Sequence, residues 1–142
     1  MTKIKTTTPD SHFSKCIREA AGWKCECCGT EYPENAQGLH CSHFFGRRAY
    51  GVRFDPDNAF AHCFGCHSKL GGNPYDFNKW AEEQIGAGLI QILREKREDT
   101  NLAKYIKKNL KSVSDHYREE LKRLKQLRAE GAVGKLKVQG FT

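Results

Sequence analysis

Two C-x2-C pairs, Cys25/Cys28 in "CECC" and Cys63/Cys66 in "CFGCH", stand with 34 residues between them, and no other feature constrains the fold so tightly. Each C-x2-C turn aims two sulfurs at one point. Two such turns complete a tetrahedral set of four thiolates, soft donors that suit zinc and need no redox chemistry. Cys27 lies inside the first pair and could replace one partner, but Cys25 and Cys28 have the right spacing. Cys16, Cys27 and Cys41 are then left as structural thiols. Hydrophobic residues make up 38% of the 142, thin for a self-sufficient core, and a metal staple compensates. The opening "MTKIKTTTPD" lacks the apolar heart of a signal peptide, and no apolar run is long enough to span a bilayer. The expected location is therefore the cytoplasm, where cysteines serve metals more often than disulfides.

Between the pairs, residues 39–45 read as a strand and 46–51 as a basic loop. "DPDN" at 55–58 reads as a turn and 59–62 as a second strand. The second pair opens a helix from Phe64 to Gly71 and Gly72. The product is a hairpin feeding a helix, clamped at its base by metal. Upstream, Asp10 or Ser11 can cap a short helix that carries Phe13, Cys16, Ile17 and Ala20 and stops at Gly22. Downstream, Asn73 caps a helix with Pro74 at its first position, 89–98 form another, and Thr100 starts a long one ending near Glu130. The expected class is α+β: a flexible start over 1–9, a metal-bound core over 10–73, a helical extension over 74–131 and a flexible tail over 132–142.

The net charge is +7, and its placement matters more than its size. Residues 1–100 carry 13 Lys/Arg against 13 Asp/Glu, whereas 101–142 carry 11 against 4. A basic excess gathered on one stretch suits a polyanion such as nucleic acid. Along the last helix Leu102, Ile106, Leu110, Val113, Tyr117, Leu121 and Leu124 recur at helical spacing. Two readings of that stripe stand: a helix packed on its own domain, or a homodimer seam with a basic outer face. Lys104, Lys107, Lys108 and Lys111 on that outer face are candidate nucleic-acid contacts, as are Arg47, Arg48 and Arg53 around the hairpin loop.

The hairpin–helix with its cysteines resembles the HNH, or ββα-metal, nucleases on a treble-clef zinc scaffold. Their usual run is matched by Cys25/Cys28, His43, Asn58, Cys63/Cys66 and His67, across about a third of the chain. The stretch "CSHFFGRRAYGVRFDPDNAFAHCFGCHSKLGGNP" looks most like the phage recombination nucleases of the NinG/Rap type. The cysteine spacing is also similar to that of endonuclease VII-type junction resolvases. The resemblance implies a metal-dependent endonuclease that favours branched or single-stranded DNA. It implies that His43 is the general base, that Asn58 orients its ring, and that His67 binds a catalytic Mg²⁺ or Mn²⁺. One departure stands out: the residue before the base is commonly Asp or His, and here it is Ser42. His40 is a further candidate ligand, but strand alternation puts it on the face opposite His43 unless the strand bulges. His62, Asn73 and Asp76 are other candidates, and His40 and His62 could instead cover the zinc knuckle. The competing function is a zinc-stapled DNA-binding or adaptor module without catalysis.

Overall fold

The computed structural model describes residues 4–142. Its centre is the antiparallel pair β1 (Leu39–His43) and β2 (Ala59–Cys63), with His40 opposite His62 and His43 opposite Ala59. Side chains alternate across the two strands, so Ser42, Phe60 and His62 share one face, and Leu39, Ala59 and Ala61 the other. The connection holds a short helix α2 (Tyr50–Arg53) and a 3-10 turn, Pro56–Asn58, capped by the Asp55 carboxylate accepting from the Asp57 N–H. Gly51 is required there because a Cβ would run into the Lys96 carbonyl.

Helix α3 (Phe64–Gly71) follows β2 without a linker, as expected from the second cysteine pair. Then come α4 (Pro74–Ile85), α5 (Ala87–Glu98), α6 (Thr100–Lys108) and α7 (Leu110–Ala129). Phe60 on one sheet face packs with Leu70, Phe77, Ala81 and Ile90 from α3, α4 and α5. On the other face lies helix α1 (Thr8–Ala20), started by a capping box in which Thr7 and Asp10 exchange bonds.

The apolar stripe of the C-terminal stretch is spent inside the chain. Ile106, Val113, Tyr117 and Leu124 are buried against Phe13, Cys16, Ile17 and Ala20 of α1, with Leu102, Leu110 and Leu121 packed at the margin. Of the two readings of the stripe, this is the helix packed on its own domain. The single long helix is corrected. Asn109 leaves helical geometry (φ −120°, ψ 29°), and its side-chain amide donates to the Tyr105 carbonyl, so α6 and α7 are separate rods. The 74–131 segment therefore packs into the core, α7 laying Val113, Tyr117 and Leu124 against α1.

The tail is likewise held rather than flexible. Leu136 N–H donates to the Ala20 carbonyl, Gln139 N–H to Glu120, and Phe141 N–H to the Tyr117 hydroxyl, while Val138 is buried. Of the expected flexible start, residues 1–3 lie outside the described residues, and Thr8 and Pro9 already belong to α1.

Candidate functional site

The four cysteines come together at one end of the hairpin. The sulfurs of Cys25, Cys28, Cys63 and Cys66 all lie within 4.8 Å of one another, and those of Cys28 and Cys63 are 3.8 Å apart. A zinc ion with sulfurs at about 2.3 Å needs tetrahedral edges of about 3.8 Å, so the set fits. Each knuckle is shaped by its backbone: Cys28 N–H donates to Cys25 Sγ at 3.5 Å and Cys66 N–H to Cys63 Sγ at 3.4 Å. The Thr30 hydroxyl and backbone beside Cys28 pull that thiol down to about 6, toward the thiolate a metal requires. Glu26 docks the first knuckle on β2, its N–H donating to the Ala61 carbonyl and its carboxylate accepting from the Ala61 N–H. Cys63 ends β2 and caps α3, so one residue joins sheet, helix and staple. Cys27 is exposed and outside the cluster, while Cys16 donates to the Tyr117 carbonyl inside the core.

His43 ends β1, with its ring 5.9 Å from Phe13. Its Nε2 is 3.0 Å from the Arg53 carbonyl. A carbonyl only accepts, so Nε2 carries the proton and Nδ1 keeps the lone pair of the neutral ring. Burial pulls His43 down to about 4, which leaves it neutral near pH 7. Asn58 was expected to orient this ring, and the geometry differs. The Asn58 side chain is fully buried, accepts from Phe45 N–H at 2.8 Å, and donates to the carbonyls of Phe45 and Val52. It pins the loop that delivers the Arg53 carbonyl, and it does not touch the imidazole.

His67, on the first turn of α3, lines a polar cleft of about 450 Å³ together with His43, Cys41, Arg47, Asp10 and Ser14. Its Nδ1 is 3.0 Å from Nδ1 of His40. Alternation places His40 away from His43, as the sequence implies, yet α3 brings His67 to it without a bulge. Without an ion, one ring donates to the other. With one, about 3.0 Å is the edge between adjacent ligands of an octahedron with bonds of about 2.1 Å. Burial and the neighbouring His40 both lower the His67 pKa. Ser42 is wholly buried on the sheet face that packs under α3 and α4, with its hydroxyl unpartnered among the described residues, so it offers nothing to the cleft. His62 is also fully buried, 4.7 Å from the Trp80 ring and 5.9 Å from the Phe77 ring, rather than covering the knuckle. Asn73 and Asp76 are occupied with each other at the start of α4.

The expected phosphate contacts divide. Arg53 is corrected outright: it is 3% exposed, and its guanidinium donates to both Asp10 oxygens at 3.0 and 2.7 Å. Asp10 was legible only as a helix cap; its second use appears when α1 packs on the hairpin. Arg47 lines the cleft while donating to the Ile4 carbonyl and Thr6 hydroxyl, and Arg48 is exposed. Lys104, Lys107, Lys108 and Lys111 are exposed, with Lys107 over the Tyr50 ring and Lys111 paired to Asp115.

Hairpin, abutting helix and four-sulfur cluster together define a small α+β protein whose hairpin–helix unit carries a cysteine set that could hold a metal such as zinc, with a histidine-lined cleft beside it. The model of the Bacteriophage Lambda NinG protein family matches residues 8–128, and the chain belongs to that family. No curated protein and no solved structure matches it. Among the described residues no helix is long and apolar enough to cross a membrane.

Proposed function

We propose that the protein is a metal-dependent DNA endonuclease of the HNH type on a treble-clef-like zinc scaffold, acting on branched or single-stranded DNA in a recombination-related phage role. The observation that carries this reading is His43: a neutral imidazole with Nε2 held by the Arg53 carbonyl and Nδ1 free to take a proton, in one cleft with His67. Water beside a phosphodiester would lose its proton to Nδ1 as its oxygen attacks phosphorus. His40 and His67 would hold the divalent ion, which supplies charge neutralisation at the phosphate and at the leaving 3′ oxygen. A pair of imidazoles without a carboxylate binds Mn²⁺ better than Mg²⁺. Asn58 is a positioning residue, acting through the loop that ends in the Arg53 carbonyl. Arg47 is the guanidinium best placed to meet a phosphate in the cleft.

Ser42 favours the second reading, a zinc-stapled DNA-binding module, because it leaves the ion two protein ligands. Plasmid nicking with Mn²⁺, Mg²⁺ or EDTA separates the two. His43→Ala should abolish nicking while DNA binding and zinc content stay at wild-type levels. Nicking by that variant at the wild-type rate would remove His43 as the base, and no nicking by wild type with either ion would leave the binding module.

A further inference from the structure

His43 and Gly46 line two recesses, not one. Besides the polar cleft, a second recess of about 470 Å³ opens toward α4, walled by Phe44, Phe45, Leu70, Pro74, Phe77 and Arg97. We infer that this recess receives an unpaired nucleobase adjoining the phosphate to be cut, an inference that rests on the nuclease reading and specifies its substrate.

The floor is rigid and apolar. Leu70 and Phe77 are each 5% exposed, and the Phe44 ring sits 5.2 Å from Phe77 and 4.7 Å from Phe45. The rim is cationic, with the Arg97 guanidinium 4.5 Å over the Phe45 ring. Among the described residues, Arg97 otherwise pairs with its exposed neighbour Glu98, a bond of little strength in water. Arginine stacked on an aromatic ring is a flat surface suited to the face of a base, with positive charge for the phosphate that follows it. Both recesses share the His43 wall, so a phosphate in one and its base in the other need no spacer between them. An apolar protein side chain would use the floor but leave the guanidinium without an anion. A paired base cannot enter, because it must first leave its stack at a cost of a few kcal/mol. Bulges, strand ends and branch points present such a base without that cost, and no sequence need be read.

The test uses full-length protein carrying His43→Asn, which keeps a side chain in the shared wall. It is titrated onto a duplex with one bulged 2-aminopurine and onto the same duplex fully paired. The bulged probe should change its emission on binding and be bound more tightly than the paired duplex. Phe45→Ala in that background should lose about 5- to 140-fold in affinity for the bulge, from stacking worth about 1–3 kcal/mol per base, and nothing for the paired duplex. Asn78→Trp fills the recess from α4 without removing a core residue and should have the same selective effect. Equal affinity for both duplexes, a silent probe, or bulge affinity unchanged in folded variants would overturn the inference. Nicking of DNA without any preference for unpaired sites would sink the recess and spare the nuclease. A responsive probe with no nicking by the His43-containing protein would do the reverse, and failure to bind any DNA would sink both.

Discussion

Replacing Arg53 by methionine tests the cleft architecture and the phosphate assignments at once. The guanidinium makes two bonds to the Asp10 carboxylate, at 3.0 and 2.7 Å, where the two residues are 3% and 6% exposed. When the arginine goes, Asp10 keeps its bonds from the Thr7 N–H and hydroxyl and a long ion pair to Arg47 at 3.9 Å, a partial compensation that puts the expected loss toward the lower end of the range below. Removing one partner of a buried ion pair costs about 3–5 kcal/mol, because the other charge is left uncompensated. Against a total stability of about 5–15 kcal/mol, and at roughly 3 °C per kcal/mol for a domain of this size, the melting temperature should fall by about 10–15 °C. Adding Asp10→Asn removes the stranded charge and should restore about half of the loss, so the double variant is more stable than the two single effects predict when added. Calorimetry at pH 7 measures the stability terms, and the salt dependence of DNA binding measures the contacts. Because Arg53 is spent internally, that salt slope should not change. A loss below about 1 kcal/mol, additive single effects, or a shallower salt slope in Arg53→Met would each refute the reasoning.

Three further outcomes follow from the geometry. Cys63→Ala should abolish stoichiometric zinc by metal analysis and lower the melting temperature by more than any single core truncation, since strand end, helix cap and metal ligand are lost together. His43 has a folded pKa near 4, below the value near 6.5 of an unfolded histidine, so its stabilising contribution is full above about 6.5 and is lost as pH falls toward 4. His43→Asn should reduce the pH dependence of stability across that window without abolishing it, since burial holds His62 down to about 4 as well, and ¹⁵N NMR of wild type should show the Nε2–H tautomer titrating near 4 rather than near 6.5. His62→Phe should hold or raise stability, because both His62 ring nitrogens are buried without a partner among the described residues and the surrounding rings suit an aromatic replacement; a fall of several degrees would show that the imidazole holds a water or an ion.

The staple and the hairpin–helix unit were legible in the sequence because C-x2-C spacing, strand alternation and capping are local codes. Cys63 could be assigned from three residues of context, and Asn73 with Pro74 announced α4 in the same way. What stayed hidden was set by packing between distant segments. The stripe from Leu102 to Leu124 reads the same whether it meets α1 or a second copy, and only the matching face of Phe13, Cys16, Ile17 and Ala20 decides. Arg53 carries the same charge in a loop clamp as in a buried pair, and Asp10, far away in the chain, makes it the latter. The carbonyl that holds His43 leaves no trace in residue types, since every residue has one. His40 was correctly placed away from His43 by alternation, but that its neighbour would be His67 depends on how closely α3 returns to β1.

Cys66 and His67 are consecutive, so one helical turn serves both the four-sulfur cluster and the cleft. Such adjacency works as an interlock. On the proposed reading, a copy without zinc would lose the anchor of that turn at Cys66, and with it the placing of His67 beside His40.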